Sequence, residues 1–179
     1  MRSNNEMDTR IPKIRLRAME PEDIDAIYRW ENDPEVWTHS AAHQHFSRNA
    51  LRQFIAENDG TDIYASRQLR LMADAEDVGT VGCADLFDFD PYHRRAAIGL
   101  LTDSHLRGHG YGTAMLLALE AFATEHLDLH LLYCDIATDN IPCIKMFECN
   151  GYHHSGTKEQ WIRRGQGWVD ATTYQKVLC

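Results

Sequence analysis

No stretch of the 179 residues stays apolar long enough to cross a bilayer as a helix. Residues 1–8 lack the apolar core of a secretory leader. The expectation is a short disordered tail over residues 1–12 and one cytoplasmic domain over residues 13–179. Cysteine is scarce and poorly placed for cross-linking: Cys83, Cys134, Cys143, Cys149 and Cys179 are odd in number and contain no CxxC pair. That excludes a disulfide framework or structural zinc site as an expectation and favours buried free thiols in a reducing compartment. Positive charge is also short, with 18 Lys and Arg against 27 Asp and Glu and a net charge of −9. Such a field repels nucleic acid and anionic membrane, so neither is expected as a partner. No repeat, low-complexity tract or linker interrupts the chain.

What is present reads as alternating strands and helices. Residues 14–18 alternate as a first strand. Pro21-Glu22-Asp23 opens a helix, because proline suits the first turn and the acids face the positive end of the helix dipole. Ile24, Ile27 and Tyr28 give it one buried stripe, and Asn32-Asp33-Pro34 ends it. Ser47 caps a second helix whose inward residues are Leu51, Phe54 and Ile55. Residues 68–73, 78–87 and 92–102 read as an antiparallel meander, turning at Glu76-Asp77 and at Asp88-Phe89-Asp90-Pro91.

A glycine-rich loop precedes a long helix with the stripe Ala114, Leu117, Ala118, Ala121 and Phe122. Residues 131–137 complete a βαβ unit and should pair parallel. A short helix over 140–148 and a hairpin of 152–163 with 168–177, turning at Gly165-Gln166-Gly167, close the chain. The order β-α-α-β-β-β-α-β-α-β-β predicts an α/β fold. Its mixed central sheet is antiparallel in the N-terminal half, has a parallel pair later, and carries helices on both faces.

The loop Arg107-Gly108-His109-Gly110-Tyr111-Gly112-Thr113 carries the strongest chemical signal. Its glycines let several backbone N–H groups converge on one anion, and the helix that starts here adds partial positive charge. Arg107 adds a full cation, so a pyrophosphate is the natural guest. A P-loop would end in Gly-Lys-Ser/Thr, which is absent. A dinucleotide-binding fingerprint needs glycine where Thr113 stands, and usually follows the first strand of a parallel sheet. A glycine turn without a ligand is the remaining alternative.

These residues resemble the GCN5-related N-acetyltransferases. That family's CoA-pyrophosphate loop follows Gln/Arg-x-x-Gly-x-Gly/Ala, which residues 107–112 match. Downstream, residues 140–152 (Asn140-Ile141-Pro142-Cys143 through Met146-Phe147-Glu148 to Gly151-Tyr152) resemble its Asn-x-x-Ala-x-x-Leu-Tyr-Glu-x-x-Gly-Phe block. Leu16-Arg17, Asp85-Leu86-Phe87-Asp88 and the final hairpin look closest to the spermidine and ribosomal-protein acetyltransferase branch. The resemblance implies acetyl-CoA as co-substrate and direct transfer of acetyl to a primary amine in a ternary complex. The acceptor would be a polyamine such as spermidine, another small amine or a protein N-terminus. A homodimer is common in the family.

The resemblance also implies roles for residues. The strand Ile98-Gly99-Leu100-Leu101-Thr102 would splay from its neighbour and pair with the pantetheine amides as a pseudo-strand. An N–H near Leu100 or Leu101 would polarise the thioester carbonyl. Residues 107–113 would hold the pyrophosphate. Asn140 would hydrogen-bond the pantetheine, cap its helix, or both, and Cys143 and Phe147 would line the same path. For removing the amine proton, the candidates are Asp85, Asp88 and His93.

Two departures stand out. Phe147 replaces the tyrosine that often protonates the leaving thiolate. Tyr111, Tyr133, Tyr152, Cys143 or water are the substitutes, and a CoA-binding sensor or interaction module with impaired catalysis is the rival reading. Between the first helices, where spermidine enzymes carry glutamates, this chain has residues 37–45 with His39, His43 and His45. Neutral histidines do not hold a polycation. The segment reads as a mobile loop, so a zinc site built from the three is not expected.

Overall fold

A computed structural model describes residues 11–37 and 44–178. The first strand, β1 (Ile14–Arg17), is followed by a 3-10 turn at Pro21–Asp23 and helices α1 (Ile24–Glu31) and α2 (Pro34–Trp37). Helix α3 (Arg48–Asn58) starts on Ser47, whose hydroxyl accepts from the Ala50 N–H, as the capping signal implied. The short α4 (Ile63–Ser66), which periodicity did not reveal, leads into β2 (Leu69–Ala75), β3 (Gly79–Asp90) and β4 (Arg95–Thr102). Then come α5 (Tyr111–Leu127), β5 (Leu131–Ala137), α6 (Ile141–Cys149), β6 (His153–Arg164) and β7 (Gly167–Val177).

The seven strands form one mixed sheet in the order β1-β2-β3-β4-β5-β7-β6. Every neighbouring pair is antiparallel except β4 with β5. Return to a parallel neighbour needs a crossover, which α5 supplies. Helices cover both faces. On one, Leu71, Ala84, Leu86, Ala96 and Ile98 pack against Leu116, Leu119 and Ala123 of α5 and Phe147 of α6. On the other, Met72 and Cys83 lie under Ile27 and Trp30 of α1 and Leu51 and Ile55 of α3.

Two expectations are corrected. The turn foreseen at residues 88–91 lies at residues 91–94. Phe89 is 3% exposed in the core, so its burial draws β3 onward. The turn-like composition is absorbed instead as a bulge, with Asp88 at φ 49° and the register shifting between Phe87 and Asp90. The buried face of α5 is also rotated. It holds Tyr111, Ala114, Met115, Leu116, Leu119 and Ala123, while Leu117 and Ala121 face outward. The helix is apolar nearly all round, so more than one face satisfies the 3.6-residue spacing and packing decides.

Replacing Leu119, which is fully buried, by alanine should cost about 2–5 kcal/mol in urea unfolding. Leu117→Ala should cost under about 1 kcal/mol, since that side chain is 37% exposed. Equal losses would put the other face of α5 inward.

Candidate functional site

The β4–β5 pair is only three rungs long: Arg95, Ala96 and Ala97 stand opposite Leu131, Leu132 and Tyr133. Beyond them β4 stays paired with β3 as far as Thr102. Strand β5 pairs with β7 along its whole length, from Leu131 to Ala137. The two central strands therefore part like a fork. Its inner edge on β4, from Ile98 to Thr102, has no strand partner among the described residues. Unpaired strand groups are a template for another extended backbone.

At the mouth of the fork lies the glycine-rich loop. Gly108 and Gly110 take left-handed φ values of 79° and 83°, and Gly110 is the N-cap of the 17-residue α5. The N–H groups of Tyr111, Gly112 and Thr113 have no intrahelical acceptor by helix geometry, whereas the Ala114 N–H already bonds the Gly110 carbonyl at 3.0 Å. A β-carbon on Gly110 would lie 3.3 Å from Pro12 Cδ, so the loop also has a wall behind it. His109 braces the turn, its Nδ1 lying 2.9 Å from the Arg107 carbonyl. The Arg107 guanidinium is turned toward α2, 3.3 Å from Glu35, with both side chains exposed. The Tyr111 ring is buried in the core, so that residue offers the site its backbone.

Strand, loop and α6 meet at Gly112. A β-carbon there would stand 3.1 Å from Met146 Sδ and 3.6 Å from Thr102 Oγ1. Asn140 caps α6 by accepting from the Cys143 N–H at 3.4 Å, and its amide donors have no partner among the described residues. Burial pushes the Cys143 thiol up to about 11. Phe147 is buried in the core, edge-on to Tyr152 at 4.9 Å, so its ring supports α6 from within. Tyr152 lies in the same core. Burial, then the Glu120 charge, raise its hydroxyl's pKa and keep it protonated.

The three candidate bases are not brought together. Asp85 pairs with Gly99, midway along the open edge. Both its oxygens accept from Arg70, at 2.8 and 2.9 Å. Asp88 is exposed on the bulge. His93 sits in the turn at the closed end of the fork, with its backbone N–H on Asp90 at 3.0 Å and its ring edge-on to Tyr92. Tyr133 stands at the fork's last closed rung, opposite Ala97. Burial, then the charge of Asp88, raise its phenol above the usual range. His45 stacks edge-on with Trp37 at 4.7 Å, whereas His39 and His43 lie outside the described residues. No cluster that could hold a metal occurs among the described residues.

Several contributors escaped the sequence reading. Asp103 follows β4 directly and is 5% exposed. It accepts from Trp30 Nε1 at 2.9 Å, from Arg29 at 2.8 Å and from the His105 N–H at 3.1 Å. It thereby ties α1 to the strand end from which the loop departs. Burial opposes its charge, but the Arg29 and Trp30 bonds win and hold the carboxyl below its ordinary pKa. An aspartate just after a strand and before Ser104-His105 is a capping signal that could have marked it. Arg70 and Glu31, joined at 2.7 Å, carry no local signal.

The Arg70–Asp85 pair faces a cavity of about 240 Å³, lined by Phe54 and Asn58 of α3 with Gln68, Leu69, Leu86 and Phe87. Gly99 borders this face: its missing β-carbon would lie 3.7 Å from Asp85 Cβ and 3.5 Å from the Phe87 ring. An open strand edge with a glycine-rich loop and a helix N-terminus at one end and a small cavity beside it has room for a long extended ligand next to a small one.

A family model described as an acetyltransferase (GNAT) domain matches residues 13–153. Among curated proteins, the L-amino acid N-acetyltransferase AaaT of Escherichia coli (strain K12) is 24% identical over 162 residues, covering 89% of this chain and 94% of that protein. The spermidine N(1)-acetyltransferase of Vibrio cholerae is 19% identical over 144 residues, covering 80% of this chain and 81% of that one. Among solved structures, spermidine N-acetyltransferase from Vibrio cholerae in complex with CoA and spermine superposes with a TM-score of 0.84. That match has 17% identity and covers 93% of this chain and 96% of the other.

Gly110→Ala tests the loop, because it adds strain at positive φ and crowds Pro12. CoA affinity should fall ten-fold or more by calorimetry. Gly60→Ala carries similar strain outside the loop, at φ 68° with nothing within 4 Å, and should leave that affinity unchanged. Equal affinities for the two variants would contradict the assignment.

Proposed function

The chain belongs to the acetyltransferase (GNAT) family, an acyltransferase with acetyl-CoA as co-substrate, and we propose that its acceptor is the primary amine of a small molecule bound beside Asp85. The observation that carries this reading is the open β4 edge, which has the loop at one end and the cavity on one face. Ligand sites for drug-sized molecules are typically about 300–1,000 Å³, so this cavity suits a compact acceptor better than a polypeptide. The curated relatives are named for small amines, an L-amino acid in one and spermidine in the other. Free Cys83, Cys134, Cys143 and Cys149 support a reducing compartment such as the cytoplasm.

In this mechanism the N–H groups of residues 108–113 hold the pyrophosphate. The β4 edge pairs with the pantetheine amides, and Asn140 donates to them from the other side. The chain of the donor then runs from the mouth of the fork toward its closed rung, where the thioester meets the Asp85–Gly99 face. Asp85 holds the substrate ammonium and takes its proton through the lone pairs that Arg70 leaves free, directly or through a water. The free amine attacks the acetyl carbon and the C–N bond forms. As the C–S bond breaks, its electron pair leaves on sulfur. The nitrogen's second proton passes through water to that sulfur to give the CoA thiol, and Asp85 returns the first proton to solvent. An N–H at Leu100 or Leu101 steadies the oxyanion. Asp88 and His93 receive no proton-transfer role. With phenylalanine at 147, Tyr133 is the hydroxyl best placed to donate a hydrogen bond to the departing thiolate, because it shares the face of Ala97 and Phe87. Its raised pKa keeps it protonated at neutral pH.

Free-thiol release from acetyl-CoA, followed across a panel of amines, tests the reading. Release with a small amine is expected, and Tyr133→Phe should lower kcat at least ten-fold with little change in the KM for acetyl-CoA. An unchanged kcat would remove Tyr133 from the mechanism. Tight CoA binding without release to any amine would favour a cofactor-binding module, the alternative that Phe147 raises.

A further inference from the structure

Arg70, Asp85 and Gly99 stand abreast on three adjacent strands, each opposite the next. The first two side chains and the vacant β-carbon position of the third share the face under α3. A guanidinium has five N–H donors in one plane. Arg70 gives Nε and Nη2 to the two oxygens of Asp85 and Nη1 to Glu31. That uses three donors. The remaining two, one on each terminal nitrogen, have no acceptor among the described residues. The Arg70 side chain is only 23% exposed, and it lines the cavity. Two donors of a half-buried guanidinium are thus open to a ligand in the cavity, and a carboxylate matches a guanidinium fork.

The charges around the cavity narrow the ligand further. Arg70 sits between the carboxylates of Asp85 and Glu31. A simple anion would meet two negative groups, and a polycation would meet the guanidinium and leave its donors unspent. A zwitterion suits both signs, with its carboxylate on Arg70 and its ammonium against Asp85. That arrangement turns the amine toward Gly99 and the open edge of β4. Phe54 and Phe87 leave an apolar wall for a side chain.

We propose that the acceptor is a free α-amino acid, its carboxylate bound by Arg70 and its amine held by Asp85 facing the fork. The proposal rests on the transfer reading above. The carboxylate is the recognised group, so an amide or a decarboxylated amine with the same side chain is a poor acceptor, as is a polyamine.

The test compares L-alanine, L-leucine, L-methionine and L-phenylalanine with their amides and with spermidine. Acetyl-CoA thiol release gives kcat/KM, and calorimetry on the CoA-loaded protein gives binding. At least one acid should exceed its amide and spermidine ten-fold or more in kcat/KM, and should bind where its amide does not. Arg70→Lys, which keeps the charge but loses the fork, should reduce that preference at least ten-fold. Amides or spermidine used as well as the acids would overturn the proposal, and so would an absence of binding by any acid. The comparison in the unaltered protein stands even if the variant misfolds. Acid binding that depends on Arg70, with no thiol released to any amine, would support the carboxylate site and sink the transfer reading instead.

Discussion

The site depends on a shortfall of pairing: β4 and β5 share three rungs and then separate. A strand leaves the centre of a sheet unpaired only where something else holds its neighbour. Here β7 does so, by lying between β5 and β6 and bonding β5 throughout. The N–H and C=O groups of the β4 edge are thereby left without a strand partner among the described residues, and α5, which must bridge the two parallel strands, delivers its N-terminus to the mouth of the same gap. The open β4 edge and the crossover helix are consequences of one topology.

Electrostatics differs between the loop and the α3 face. At the mouth, amides in left-handed turns and a helix terminus favour an anion, and the Asp103 tie to Trp30 and Arg29 fixes the strand end from which the loop springs. On the α3 face the charges are paired instead, with Arg70 clasped by Asp85 and Glu31. The three side chains are half-buried and brace one another through three hydrogen bonds, so their donors and acceptors are held in fixed positions.

The parts legible in the sequence were those with local causes. The Ser47 cap and the acid-rich start of the first helix act within a few residues and appear where expected; the glycine loop precedes α5 as expected, although the helix already begins at Tyr111. The parallel return through a crossover followed from chain-handedness rules. Where a tertiary demand overrode local preference, the sequence misled. Phe89 needed the core more than residues 88–91 needed a turn, and an almost wholly apolar α5 hid its inward face. The two contacts of Arg70 span 15 and 39 residues, and that of Asp103 with Trp30 spans 73. No periodicity or motif reports such distances.

Amide hydrogen exchange, read with and without CoA, addresses the open edge most directly. The account requires slowed exchange in two segments, residues 98–102 and residues 108–113, with little change along β1 and β2. CoA that binds while leaving the amides of 98–102 as fast as before would contradict it, because the donor would then lie somewhere other than the fork.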